Sequence, residues 1–83
     1  MFRKLAPQTV QHSDGYIIQV ADRSHVEYIE GTTYAVVEVE FSPIVGVYRN
    51  TLEICDEART EQNVVLDRIA AGLEAMGCKV EFC

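Results

Sequence analysis

Tryptophan is absent from this 83-residue chain, and proline occurs only twice, at Pro7 and Pro43. Long apolar runs are also missing, and none approaches the roughly 18 residues that a membrane-spanning helix needs. The first residues lack the apolar core of a signal peptide, which is about 7 to 15 residues long. We therefore expect a cytoplasmic protein that makes no contact with a membrane.

Cysteine and histidine are few and widely scattered. The chain holds Cys55, Cys78, Cys83, His12 and His25. No two of them have the close spacing of a zinc-binding pair, and an odd number of thiols does not form a disulfide framework. Reduced thiols in a cytosol explain this pattern best. We expect no metal site and no cofactor.

Basic residues are scarce as well. Seven Lys and Arg stand against thirteen Asp and Glu, which gives a formal net charge of -6. The imbalance comes from residues 22–57, which contain eight acidic residues and two arginines. Binding to nucleic acid needs clustered Lys and Arg that neutralise phosphates, and this stretch has the opposite charge. The sequence therefore argues against a nucleic-acid partner and favours a basic protein partner.

The chain is long enough for a single domain with one small core. At this length folding buries roughly 60% of the surface that the unfolded chain exposes. Residues 1–14 show no clear periodicity, so we expect a loosely ordered N-terminal arm with at most one short strand or turn. The single folded domain is predicted over residues 15–83.

A period of two dominates residues 16–55 and predicts an antiparallel meander. The clearest alternation lies in residues 33–41, where one face carries Ala35, Val37, Val39 and Phe41, and the other carries Tyr34, Val36, Glu38 and Glu40. One face of this strand should lie in the core and the other in water. The predicted strands are residues 16–21, 25–30, 33–41, 44–48 and 51–55, with a turn at 49–50.

After residue 60 the apolar period changes to 3.6, which predicts a helix over residues 61–76. Thr60 is expected to cap its N-terminus, and Gly77 is expected to close its C-terminus in the left-handed conformation. The apolar stripe comprises Val65, Leu66, Ile69, Leu73 and Met76. Residues 79–83 alternate again and predict a short final strand.

These elements predict an α+β fold in two layers. One layer is an antiparallel-dominated β-meander of five to six strands, and the other is the long C-terminal helix on one face. A helix about 10 to 12 Å across is too narrow to cover both faces of such a sheet. One face should therefore remain uncovered.

Two groups of polar residues invite a catalytic interpretation. His12, Ser13 and Asp14 are the residue types of a hydrolytic triad, but a triad normally draws its members from separated segments. His25 has no evident nucleophile nearby and is expected to lie exposed at the start of a strand. We therefore expect no catalytic residues and no enzymatic activity.

The uncovered sheet face is the predicted functional surface. It should carry acidic side chains beside aromatic and aliphatic ones, a mixture that favours a protein contact. An ordinary solvated face, whose acids serve solubility and discourage aggregation, is the alternative explanation. The predicted contact residues are Glu27, Tyr34, Glu38, Glu40 and Glu53.

The stretches VEYIEGTTYAVVEVEF and LDRIAAGLEAMGCKVEF resemble small bacterial immunity-type proteins that accompany polymorphic toxins. The resemblance covers roughly residues 25–82: acidic hairpins, a helix with Ile69 and Leu73 in an I-x-x-x-L pattern, a glycine and a short terminal strand. It implies a non-enzymatic binding module whose acidic sheet face neutralises a cognate toxin. The alternative is a small structural or regulatory homodimer, formed through the free sheet face or an edge strand.

Overall fold

The computed structural model describes residues 1–55 and 60–83, which form seven strands and one helix. The elements are β1 (Phe2–Ala6), β2 (Thr9–His12), β3 (Ile17–Asp22), β4 (His25–Glu30), β5 (Thr33–Glu40), β6 (Val45–Cys55), α1 (Gln62–Ala75) and β7 (Val80–Phe82). All strands belong to one sheet, in the order of the chain. Neighbours pair antiparallel except β6 and β7, which are parallel because α1 crosses over between them. The predicted α+β fold, with its antiparallel-dominated sheet and single helix, is confirmed, but the sheet has seven strands where five to six were predicted.

The first two strands lie where the sequence predicted a loosely ordered arm. β2 pairs with β3, and Val10 lies opposite Ile18 in that ladder. β1 has no fully buried side chain and β2 has only one, Val10. Because so few of these side chains are buried, apolar and polar residues hardly alternate along β1 and β2, and the sequence does not predict this part of the sheet.

The turn expected between the fourth and fifth predicted strands is instead a bulge inside β6. The register with β5 shifts there, and residues 49–52 lie opposite Val37 alone. The hydroxyl of Thr51 fills the gap: it accepts a hydrogen bond from the Glu38 N–H at 2.9 Å and donates one to the Tyr48 carbonyl at 2.7 Å. The prediction of two short strands was wrong because polar residues occur in bulges as well as in turns.

The sheet curls around α1. A flat sheet of seven strands would be about 29 Å wide at 4.8 Å per step, far wider than a helix of about 10 to 12 Å. The helix nevertheless contacts β2, β3, β4, β6 and β7. The face towards the helix is therefore concave and holds the core, while the opposite, convex face is not covered by α1.

The apolar stripe of α1 packs into the concave face as predicted, except that Met76 lies at the C-cap and is only partly buried. Its fully or almost fully buried side chains are Val65, Leu66, Ile69 and Leu73. Gly72 lies on the same side of the helix, directly against Ile18 of β3. Phe41 does not follow the prediction: it lies beyond the end of β5 and is 40% exposed, although alternation placed it with the buried residues of that strand.

The ends of α1 lie within one residue of the prediction. Glu61 occupies the N-cap position that was expected for Thr60. At the other end Gly77 has φ 95°, and its N–H donates to the Glu74 carbonyl at 2.9 Å while the Cys78 N–H donates to the Leu73 carbonyl at 3.1 Å. These two bonds form a Schellman motif, which needs the left-handed conformation that glycine adopts without strain.

Candidate functional site

The predicted contact residues all lie on the convex face. The odd-numbered residues of β5, Val37 among them, are buried on the concave face, so its even-numbered residues point outward. Glu27 and Glu53 both pair with Val36, one from each neighbouring strand, and so share that side. Two strand spacings separate them, a distance of about 10 Å. The structure thus brings residues from β4, β5 and β6 together on one surface, whose role in binding remains a prediction.

Two carboxylates of this face are held by tyrosine hydroxyls. Tyr34 donates a hydrogen bond from its hydroxyl to Glu27 Oε2, and Tyr48 donates one to Glu40 Oε2 at 2.6 Å. In both pairs the hydrogen bond to the carboxylate raises the pKa of the tyrosine, because a neighbouring negative charge disfavours the phenolate. The amide of Gln19 also donates to Glu27 Oε1 at 3.1 Å. These pairs fix the orientation of both tyrosine rings.

The other two carboxylates among the predicted contact residues have no cationic partner in the described part of the chain. Glu38 and Glu53 are exposed, and neither side chain has a hydrogen-bond or ion-pair partner among residues 1–55 and 60–83. In that part of the chain the carboxylate of Glu30 is paired with Arg68, whereas those of Asp14 and Asp22 lie beside histidine rings. Among the predicted contact residues, Glu38 and Glu53 are therefore the charges most available to a partner.

Tyr48 and Glu81 belong to the same face but were not among the predicted contact residues. Gly46 pairs with Glu40 on one side and with Glu81 on the other, which places Glu81 at the β7 edge of the convex face. The alternating buried valines of β6 indicate an outward Tyr48 from sequence alone. The position of Glu81 depends on the parallel register of β7, which no local pattern shows.

The triad-like run does not form a catalytic arrangement. His12 Nδ1 accepts a hydrogen bond from the Asp14 backbone N–H at 2.9 Å. The Ser13 hydroxyl oxygen accepts one from the amino group of Met1 at 3.3 Å. The described structure shows no hydrogen bond between Ser13 and His12, which a serine nucleophile and its general base would need.

His25 lies at the start of β4, as predicted. Its Nδ1 is 2.9 Å from Asp22 Oδ1, and the same oxygen accepts a hydrogen bond from the Ser24 N–H at 2.8 Å. The Ser24 N–H first and His25 second lower the pKa of Asp22, because both favour its charged form. No three His, Cys, Asp or Glu side chains of the described residues are grouped as ligands of a metal ion.

A cluster that was not predicted lies on the concave side, where α1 crosses β4. Arg68 Nη1 donates to the Tyr28 hydroxyl at 2.7 Å and to Glu30 Oε1 at 3.1 Å, and Tyr28 donates to the same Glu30 oxygen at 2.7 Å. Arg68 also lies 4.7 Å from the Tyr16 ring centroid, and His12 stacks on that ring at 4.8 Å. Since Tyr28 is completely buried, its hydroxyl needs these partners. The cluster anchors the helix to the sheet.

Replacement of Tyr28 by phenylalanine is expected to make the free energy of unfolding decrease less steeply as the pH rises into the alkaline range. Burial raises the pKa of Tyr28 above the ordinary tyrosine value of 10.0. Its contribution to stability is therefore intact below that value and is lost as the pH rises through the folded-state pKa, with a slope of at most about 1.4 kcal/mol per pH unit for one proton. Urea unfolding from about pH 8 to pH 11 should give a shallower decline for Tyr28→Phe than for the wild type. Parallel declines would show that this phenol is not coupled to folding.

Comparisons with models of protein families, with curated proteins and with solved structures found no match. The resemblance to immunity-type proteins therefore depends on the residue pattern alone. In the part of the chain that the structure describes, no helix is long and apolar enough to cross a membrane.

Proposed function

We propose that this chain is a non-enzymatic protein-binding module that engages a basic partner through its convex sheet face. The observation that carries the proposal is the exposure there of Glu38 and Glu53 without a cationic partner among the described residues. Charges of one sign within a screening length of about 8 Å repel each other in the free protein. A partner that supplies Lys or Arg relieves this repulsion, and such complementarity raises both the association rate and the specificity of binding.

The tyrosines of the face support the same proposal. Tyr34 is 37% exposed, and its ring orientation is fixed by the hydrogen bond to Glu27. Ile29 is half-buried and pairs with Tyr34 across the β4–β5 ladder, which gives the face an apolar part. A side chain that is already oriented loses little entropy on binding, and tyrosine contributes a large contact area. An apolar centre beside charged residues is typical of protein interfaces.

We further propose that the partner is the cognate toxin of a polymorphic toxin system, and that the convex face covers a basic patch on it. The support is the acidic sheet face together with the pattern of acidic hairpins, helix and short final strand that carries the resemblance over residues 25–82. In this role the chain acts by occupying a surface and performs no chemistry of its own.

A homodimer formed through the same face is the alternative. Stacking two copies would bring Glu38 and Glu53 of each chain against the same acidic face of the other, and repulsion opposes this arrangement. Light scattering at micromolar concentration separates the two: the proposed module gives the monomer mass, and the homodimer gives twice that mass. A dimer that persists in the double variant Glu38→Lys/Glu53→Lys would favour an interface elsewhere.

The double variant Glu38→Lys/Glu53→Lys should bind the basic partner about tenfold more weakly, because it replaces attraction by repulsion at two exposed positions of the convex face. The affinity of the wild type should decrease when the salt concentration is raised from about 50 to about 200 mM, and the affinity of the variant should depend much less on salt. Isothermal titration at both salt concentrations gives the two values.

The matched control is Asp67→Lys/Glu74→Lys on exposed positions of α1, which changes the net charge by the same amount. It should keep nearly the wild-type affinity at about 200 mM salt, where longer-range interactions are screened. An equal loss of affinity in both double variants would mean that bulk charge, and not the convex face, determines binding. Circular dichroism and thermal unfolding verify that both variants are folded.

A further inference from the structure

The long strand β6 has an edge that no described strand covers. β7 pairs with β6 only at Val45, Gly46 and Val47. In the described part of the chain, no strand pairs with residues 51–55 on the side away from β5. The edge therefore continues in line with β7 and could accept one more strand.

The direction of the β5 backbone groups follows from two hydrogen bonds. The Glu38 N–H points towards β6, where it donates to the Thr51 hydroxyl at 2.9 Å. The next N–H, that of Val39, points towards β4 and donates to the Ser24 carbonyl at 2.8 Å. Even-numbered residues of β5 therefore direct their N–H and C=O groups to β6.

The same alternation assigns the backbone groups of β6. Glu53 and Cys55 lie opposite even-numbered residues of β5, so their N–H and C=O groups point back at that strand. The N–H and C=O groups of Leu52 and Ile54 then point in the opposite direction, towards the uncovered edge. These two residues offer two donors and two acceptors to an added strand.

The side chains beside the edge define the kind of strand that fits. Leu52 and Ile54 are half-buried and pack against the core cluster, so an added strand needs apolar side chains on the concave side to cover them. Glu53 lies exposed on the convex side without a partner in the described residues. A basic side chain next to it would form a favourable cross-strand pair.

We propose that residues 52–55 of β6 bind an extended segment of the partner as an additional strand, in which apolar residues alternate with Lys or Arg. This inference rests on the proposed function, because it specifies how the basic partner is held. In such strand addition, main-chain hydrogen bonds supply affinity and alternate side chains supply specificity. A second copy of this chain fits the edge less well, since antiparallel pairing of two β6 edges brings two Glu53 carboxylates together.

The probe for this edge is a synthetic hexapeptide of alternating valine and lysine. Its control has the same composition, with the three lysines before the three valines. Amide hydrogen exchange, followed by NMR at low salt, should show that the alternating peptide slows exchange at Leu52 and Ile54 by about tenfold or more. The control peptide should leave both amides unchanged, because it cannot place apolar and basic side chains on opposite faces.

Two variants make the test specific. Ile54→Pro removes an outward N–H and should abolish the protection of Leu52, whereas Ile54→Val keeps the N–H and should retain it. If Ile54→Pro does not fold, Glu53→Lys serves instead and should abolish protection by repelling the lysines. Protection that survives Glu53→Lys would overturn the charge pairing on which the proposal depends.

The remaining outcomes separate this proposal from the proposed function. Salt-dependent peptide binding that leaves the Leu52 and Ile54 amides unprotected would overturn strand addition and leave binding by the convex face intact. Protection that appears without peptide and grows with protein concentration would place a second copy at the edge, and would also overturn it. A different result would contradict the proposed function, namely an equal loss of affinity in the convex-face variant Glu38→Lys/Glu53→Lys and in the helix control Asp67→Lys/Glu74→Lys.

Discussion

Gly72→Ala is expected to lower the free energy of unfolding by about 2 kcal/mol, although alanine is the better helix former. At an ordinary helix position glycine costs about 1 kcal/mol relative to alanine. At residue 72, however, an added Cβ would lie 2.6 Å from Cβ and 2.9 Å from Cγ2 of Ile18, and would also contact its Cγ1. Ile18 is completely buried on β3, so it cannot move aside without displacing the strand. The overpacking therefore outweighs the gain in helix propensity.

Thermal unfolding should show a midpoint about 8 to 16 °C below that of the wild type. The control Ala71→Gly, one residue earlier in α1, should lower the free energy of unfolding by about 1 kcal/mol, because alanine usually favours a helix more than glycine does. Ile18→Ala alone should cost about 2 to 5 kcal/mol. In the Gly72→Ala background Ile18→Ala should cost at least about 1 kcal/mol less, because it removes side-chain atoms that the new methyl group contacts too closely. Strictly additive losses, or a Gly72→Ala protein as stable as the wild type, would show that helix and strand are not in close contact here.

Thr51→Val should lower the free energy of unfolding by about 2 kcal/mol, because the β6 bulge depends on the hydroxyl that valine lacks. That hydroxyl lies between the Glu38 N–H and the Tyr48 carbonyl and bonds to both. Valine has nearly the same shape, so the packing is kept while a backbone donor and a backbone acceptor lose their partner. The bond to Tyr48 is partly buried and the bond from Glu38 is exposed, and each hydrogen bond that is lost typically costs about 0.5 to 1.5 kcal/mol.

Thr51→Ser is the matched control for this prediction. Serine keeps the hydroxyl and loses only a methyl group, so its cost should stay below about 1 kcal/mol. Urea unfolding of the two variants gives the comparison directly. The bulge also sets where Glu53 lies relative to Glu38, so Thr51→Val should bind the partner more weakly than Thr51→Ser does. Equal stabilities of the two variants would mean that the hydroxyl does not maintain the bulge.

The elements with strong burial patterns were predictable from the sequence. In β5 every second residue from Thr33 to Val39 is buried, and in α1 the apolar stripe is buried from Val65 to Leu73. β1 and β2 bury one side chain fully between them, so no period was visible. Arg49 and Asn50 are polar and predict a turn, whereas the register shift and the Thr51 hydrogen bonds show that they belong to the β6 bulge.

The convex face was predictable in part. Alternation alone places Glu38 and Glu40 on one side of β5, and the short hairpin between β4 and β5 brings Glu27 next to them. The residues that lie next to Glu53 do not follow from alternation, because the bulge shifts the register between β5 and β6 by several residues. The Arg68 cluster was not predictable, since its members lie on elements that only the tertiary fold brings together.

The most direct measurement of the central claim is an affinity capture from the native host that includes the products of neighbouring genes. Three baits are compared: the wild type, the convex-face variant Glu38→Lys/Glu53→Lys, and the helix control Asp67→Lys/Glu74→Lys. If the convex face binds a basic protein, the wild type and the helix control capture the same protein and the convex-face variant does not. Capture of that protein by all three baits in equal amount would contradict the claim.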